Sequence, residues 1–133
     1  MQIPEAGNWK SATLFRILTF PACPMPRLKS ALYVQALMRR SEVAGAAAYL
    51  VRRGAEEAGA VFLKLNRLDG TCAVLSPARR GEERIWTRPL GENAEEARAA
   101  EYFARQIRID PDIWIVEIED REGRSFVDEP IVS

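Results

Sequence analysis

Residues 113–118 read IWIVEI, four apolar side chains in succession followed by a fifth after one glutamate. A run this short suits a strand, and because side chains alternate between the two faces of a strand, this one is apolar on both. Such a strand belongs in the middle of a sheet rather than at its rim. A sheet with a buried interior strand is therefore the frame into which every other segment has to fit.

Residues 59–68 (GAVFLKLNRL) alternate Val61, Leu63 and Leu65 against Phe62, Lys64 and Asn66, and residues 71–76 form a second short apolar strand. Asp69-Gly70 lies between them, the dipeptide that a type I′ turn favours because both central residues need positive φ. The pair is predicted to be a hairpin. Residues 77–83 (PARRGEE) read as a charged loop, and 84–88 (RIWTR) as a third strand of the same meander.

Asn93 followed three residues later by Glu96 resembles a capping box opening a helix that runs to about Arg108, with Ala100, Phe103, Ala104 and Ile107 as its apolar stripe. Asp110-Pro111 stops it, since the residue before proline disfavours the α conformation. Nearer the start, Leu28, Ser30, Leu32, Val34 and Ala36 alternate with their neighbours as a first strand would, a helix from Pro26 onward being the competing reading. An alanine-rich stretch over 43–53, closed by Gly54, reads as the first helix. A turn at 121–123 leads to a last edge strand over 124–127.

The predicted order is β-α-β-β-β-α-β with room for that further edge strand. This is an α+β fold: a single mostly antiparallel or mixed sheet with two helices packed on one face. A chain of 133 residues is long enough for one core. Residues 1–24 lack period and end among Pro21, Pro24 and Pro26, whereas periodic sequence begins just after Met25. The expected division is thus a disordered or non-native extension over 1–24 and a single domain over 25–133.

Three segments together resemble a bacterial family of domains of unknown function, number one-four-nine-one: residues 28–34 (LKSALYV), 64–70 (KLNRLDG) and 110–124 (DPDIWIVEIEDREGR). The motif positions are Asn66, Asp69, Gly70, Asp110, Pro111, Asp112, Trp114, Glu117, Glu119, Asp120, Arg121 and Gly123. The resemblance spans residues 25 to about 128 and implies a small α+β protein, with no assigned catalytic residue.

The chain contains no histidine. That removes Ser-His and Cys-His catalysis, histidine general bases and histidine-ligated zinc. Cys23 and Cys72 are too few for a disulfide framework, and no segment has the length of an export signal or a membrane span, so a cytoplasmic location with reduced thiols is expected. Gly54 and Gly59 are spaced like P-loop glycines, but Ala60-Val61 stand where Lys and Ser/Thr would contact phosphate and Mg²⁺. No cofactor is implied.

Net charge is zero yet unevenly spread: residues 25–90 carry twelve cations against six acids, and residues 91–133 five cations against twelve acids. Arg39, Arg40, Arg52 and Arg53, together with Trp86, are the candidate contacts for a protein or nucleic-acid partner, Tyr33 and Trp86 being the few aromatics that could interleave with the cations. Asp110, Asp112, Glu117, Glu119 and Asp120 form the dense acidic cluster, which could hold Mg²⁺ if the side chains converged. The nuclease pattern requires a lysine where Glu119 stands. The leading expectation is a non-catalytic binding or adaptor domain, and the alternative is a carboxylate-dependent, metal-assisted hydrolase or nuclease.

Overall fold

The structure, a computed structural model, describes residues 29–132. The expected boundary between 24 and 25 lies outside them. Two helices, α1 (Ser30–Val43) and α2 (Glu96–Ile109), accompany seven strands: β1 (Ala47–Arg52), β2 (Val61–Asn66), β3 (Thr71–Arg80), β4 (Glu83–Thr87), β5 (Ala94–Glu95), β6 (Trp114–Glu119) and β7 (Ile131–Val132). They form a mixed sheet in the order β1-β6-β2-β3-β4-β7, with β5 beside β3. The α+β class and the mixed sheet are as the sequence implied. No described helix is long and apolar enough to cross a membrane.

β6 is the interior strand that 113–118 required. It runs parallel to β2, Val61 facing Trp114 and Asn66 facing Glu119, and antiparallel to β1 on its other side. Alternation along β2 and β6 divides the core in two. Leu63, Leu65, Trp114, Val116 and Ile118 point to the side of Tyr33, Val34 and Leu37 on α1. Phe62, Ile113 and Ile115 point to the side of Ala99, Tyr102 and Phe103 on α2. The helices therefore cover opposite faces, not one, because strands apolar on both faces need cover on both.

The first two elements are exchanged relative to the expectation. Residues 30–43 are helix: Tyr33, Val34, Leu37 and Ser41 are buried at helical spacing, in a stretch rich in Ala, Leu, Gln, Met and Arg with few β-branched residues. Gly45, at φ 95°, ends α1, and its N–H donates to the Glu42 carbonyl. The stretch taken for a helix ending at Gly54 is thus cut at its start and becomes β1. Pairing with β6 outweighs the helical preference of its alanines.

The hairpin of β2 and β3 is present, with a different turn. Arg67 N–H donates to Thr71 O across a three-residue loop, and the positive φ values fall on Leu68 and Gly70. Asn66 Oδ1 accepts the Leu68 N–H at 2.8 Å and steadies that leucine in a conformation uncommon for a side-chain-bearing residue. β3 then runs on through Pro77, beyond the last residue opposite β2, and pairs with β4 around Gly81. Most of the expected 77–83 loop is strand.

α2 opens at Glu95 with no side-chain cap, two residues after Asn93, because Ala94 and Glu95 are held in pairing with Cys72 and Thr71. Ala100 and Ala104 are exposed; burial falls on Ala99, Tyr102 and Phe103. Residues 124–127 form no strand. The chain turns at Phe126 (φ 62°) and pairs later, as β7, with β4.

Gly54 and Gly59 have a packing role. A Cβ on either would collide with the carbonyl oxygen of Asp112, which accepts the Ala55 N–H at 2.9 Å. Trp114 completes the joint: 2% exposed, its indole N–H donates to Ala55 O at 2.7 Å. Trp114→Ala should cost about 3–5 kcal/mol through the lost volume and the orphaned carbonyl. Gly59→Ala should destabilise as well. A urea midpoint for either variant equal to the parent's would refute this account of the joint.

Candidate functional site

The sequence-derived candidates fall into two groups. Arg39 and Arg40 sit at the C-terminal end of α1, whereas Arg52 and Arg53 lie at the far end of β1 beside the loop that meets the start of α1. The length of β1, about 20 Å, separates the pairs. Arg40 donates from Nε and Nη2 to Phe126 O, Arg52 from Nη2 to Pro111 O, and Arg53 stacks 5.2 Å from the Trp114 ring.

The acidic cluster is dispersed. Asp110 Oδ1 accepts the Asp112 N–H at 3.0 Å, at one end of β6. Glu117 accepts from Asn66 Nδ2 at 2.9 Å and lies near Lys64, which also pairs with Glu96. Burial works to lower the Lys64 pKa, but these carboxylates outweigh it and hold it above the ordinary value. Glu119 accepts a long hydrogen bond from Tyr49 at 3.4 Å. Asp120 binds Arg124, whose hydrogen bonds hold its carboxyl below the ordinary range. Among the described residues no three such side chains are placed to share a metal ion.

The remaining motif residues shape turns. Asp69 Oδ1 accepts the N–H and the hydroxyl of Thr71, and Gly70 takes φ 90°. Gly123, at φ 72°, lies under the Arg67 guanidinium where a side chain would collide, so the 66–70 and 120–124 turns interlock at the C-terminal ends of the parallel pair. Arg121 is exposed.

A cleft of about 380 Å³ opens elsewhere, between the first turns of α1, residues 57–61 and the β3–β4 hairpin. Its wall is a cross-strand ladder. Pro77 faces Trp86, and Arg79 faces Arg84. Residues two apart share a strand face, so the two guanidiniums and the indole line up on one side. Arg84 stacks 5.7 Å from the Tyr33 ring. Glu129 Oε1, in the segment leading to β7, accepts from Tyr33 Oη at 3.0 Å and from Trp86 Nε1 at 3.1 Å. Tyr33 and Trp86 are the two aromatics the sequence offers beside the cations; Arg79, Arg84 and Glu129 are not in the sequence-derived set. The alternation in RIWTR already puts Arg84 and Trp86 on one face, but the strand reading of 28–37 misplaces Tyr33, and no local pattern marks Glu129.

Like charges opposite each other across a strand pair repel. Among the described residues no carboxylate lies within ion-pair distance of Arg79 or Arg84, while neighbouring Arg80 is matched with Glu83 at 3.0 Å. The ladder therefore presents two exposed cations over buried aromatic rings, neither cation in a direct ion pair, with the Glu129 carboxylate close enough to Arg84 for the two charges to attract.

The family model described as "Protein of unknown function (DUF1491)" matches residues 28–128. The chain belongs to the DUF1491 family. The crystal structure of a DUF1491 family protein from Caulobacter crescentus CB15 is similar at 45% identity and a TM-score of 0.71, over 80% of this chain and 98% of that one. An NMR structure of a DUF1491 family protein from the same organism gives 45% identity and 0.73, over 82% and 100%. The solution structure of protein Atu0922 from A. tumefaciens gives 34% and 0.67, over 80% and 100%. No curated protein matches. Membership brings the fold and no activity: the DUF1491 family is one of unknown function.

The Glu129 knot has a pH signature. Burial acts to raise its pKa, but the Trp86, backbone and Tyr33 hydrogen bonds prevail and leave it below the ordinary value. A depressed folded-state pKa gives stability that is present above the unfolded carboxylate pKa, about 4.3, and is lost as pH falls through the folded one. Burial and the same glutamate push the Tyr33 phenol upward, a contribution lost only in strong base. Glu129→Gln should cost about 1 kcal/mol at neutral pH, the low end of the range because the carboxylate is only partly buried. Urea melts from neutral pH into the acid range should show the two proteins converging as pH falls; a constant gap would contradict this.

Proposed function

We propose that this DUF1491 domain is a non-catalytic adaptor that holds an acidic segment of a protein partner in the Arg79–Arg84 cleft. The cross-strand guanidinium pair, neither member of which has a direct ion-pair partner among the described residues, carries the reading. A carboxylate placed between the two cations would relieve their repulsion and accept hydrogen bonds from both planar forks. The buried Tyr33 and Trp86 rings form the floor beneath it.

A protein partner is favoured over a nucleic acid. Two guanidiniums neutralise few phosphates of a nucleic-acid chain, whereas they match the charge of a single carboxylate or two. Arg39, Arg40, Arg52 and Arg53, divided between two ends of β1, would serve at most as separate outlying contacts. The hydrolase alternative loses its support, since its carboxylates do not converge among the described residues: Asp110 and Asp112 lie at one end of β6, while Glu117, Glu119 and Asp120 meet Asn66, Tyr49 and Arg124. A cytoplasmic setting fits the buried, unpaired Cys72.

Titration of the full chain with a short glutamate-rich peptide should quench or shift tryptophan emission saturably, because Trp86 lines the cleft. Arg79→Gln with Arg84→Gln should weaken that binding about tenfold or more, equivalent to at least 1.4 kcal/mol, with little change in thermal midpoint. Binding undiminished in the double variant would reject the cleft. Tighter binding of a single-stranded oligonucleotide than of the peptide would reject the choice of partner.

A further inference from the structure

β1 ends the sheet, with β6 on one side and no described strand on the other. An edge strand leaves every second N–H and C=O unpaired, and proteins usually blunt such edges with charge, proline or cover. Here the edge carries Tyr49, Leu50 and Val51 in succession, exposed at 50%, 42% and 55%. A bulge interrupts the β1–β6 register between Leu50 and Arg52, so the regular part of the edge is Ala47 to Leu50. The groove beside it is lined by Val51, Phe103, Ala104, Ile107 and Ile115, with Arg52, Lys64 and Glu117 among them.

The ends of this edge differ in charge. Arg52 and Arg53 close β1, and Arg53 is exposed. At the other end Glu119 pairs across from Ala47, and exposed Glu42 stands in the last turn of α1, close before the strand. When two copies of such a strand run antiparallel about a two-fold axis, the basic end of each lies beside the acidic end of the other. A polar, self-complementary edge of this kind fits a second copy of itself better than an arbitrary strand.

We propose that β1 is the seam of a homodimer, two chains pairing edge to edge across Tyr49, Leu50 and Val51 so that the sheet continues from one into the other. The seam is on the opposite side of the sheet order from β4 and leaves the Arg79–Arg84 cleft open, so it stands whether or not the cleft binds a peptide. A six-residue edge is about 20 Å long, which suits a reversible dimer more than a permanent one.

Sedimentation velocity of the full chain over a concentration series tests this. The parent should show a monomer–dimer equilibrium that weakens at high salt. Leu50→Lys should shift it to monomer with an unchanged thermal midpoint. Arg53→Glu alone and Glu42→Arg alone should each weaken dimerisation about tenfold, and mixing the two should restore a dimer, because both contacts then join opposite charges; this rescue excludes misfolding as the cause. A parent that remains monomeric throughout overturns the proposal, as does a dimer indifferent to Leu50→Lys. A full chain that is monomeric while a version starting at Met25 dimerises would assign the edge to residues before Met25 and overturn it equally.

Discussion

The parallel contact between β2 and β6 is the constraint on which the remaining architecture hangs. Its partners are far apart in sequence, Val61 opposite Trp114 and Asn66 opposite Glu119, and a parallel pair cannot be closed by a tight turn. The chain therefore makes a long excursion between them through β3, β4, β5 and α2, and α2 comes to lie on one face while α1 covers the other. The lower end of the pair is locked by Gly54, Gly59 and Trp114 around the Asp112 and Ala55 carbonyls. The upper end is locked by Asn66 on Glu117 and by Arg67 over Gly123. Most motif residues of segments 64–70 and 110–124 sit at or beside these two locks, which gives them a part in the joint.

The parts of the fold legible in sequence are those whose signal is local. The hairpin of β2 and β3, the end of α2 at Asp110 and the interior position of β6 each follow from a few adjacent residues. The exchange of α1 and β1 shows where local reading breaks down. Alternation over 28–37 is short and contains almost no β-branched residue, so helix propensity was the better guide there. In 47–52 propensity points to helix, yet an open edge on β6 and the stop at Gly45 decide for strand. The placement of helices on one face failed for a related reason: the double-sided apolarity of β6 implies two layers of cover, and that implication is global.

The candidate cleft was less legible than the fold. Arg84 and Trp86 share a face by simple alternation, but Arg79 joins them only because β3 continues through Pro77 where a loop was expected. Tyr33 arrives from α1 and Glu129 from the segment before β7, neither adjacent in sequence to the ladder they complete. Glu129 ties three elements with one carboxylate and fixes the aromatic rings that form the floor. The same residue thus links the stability of the C-terminal segment to the shape of the site.

The uneven charge along the chain also takes on a different meaning once folded. The basic first part supplies β1 and β2, and the acidic second part supplies β6 and α2, so the sheet itself brings the halves together. Lys64 meets Glu96 and Glu117, and Arg88 meets Glu92. Arg40 and Arg52 give their donors to backbone oxygens of the acidic half, at Phe126 and Pro111. Much of what looked in sequence like a surface awaiting a polyanion is thereby engaged by the chain's own second half. Arg79 and Arg84 are different: they face each other across a hairpin made wholly within the basic half, and Glu129, which the acidic half brings near Arg84, accepts its hydrogen bonds from Tyr33 and Trp86 instead. Repulsion that the fold relieves only in part is the reason to look for the partner there.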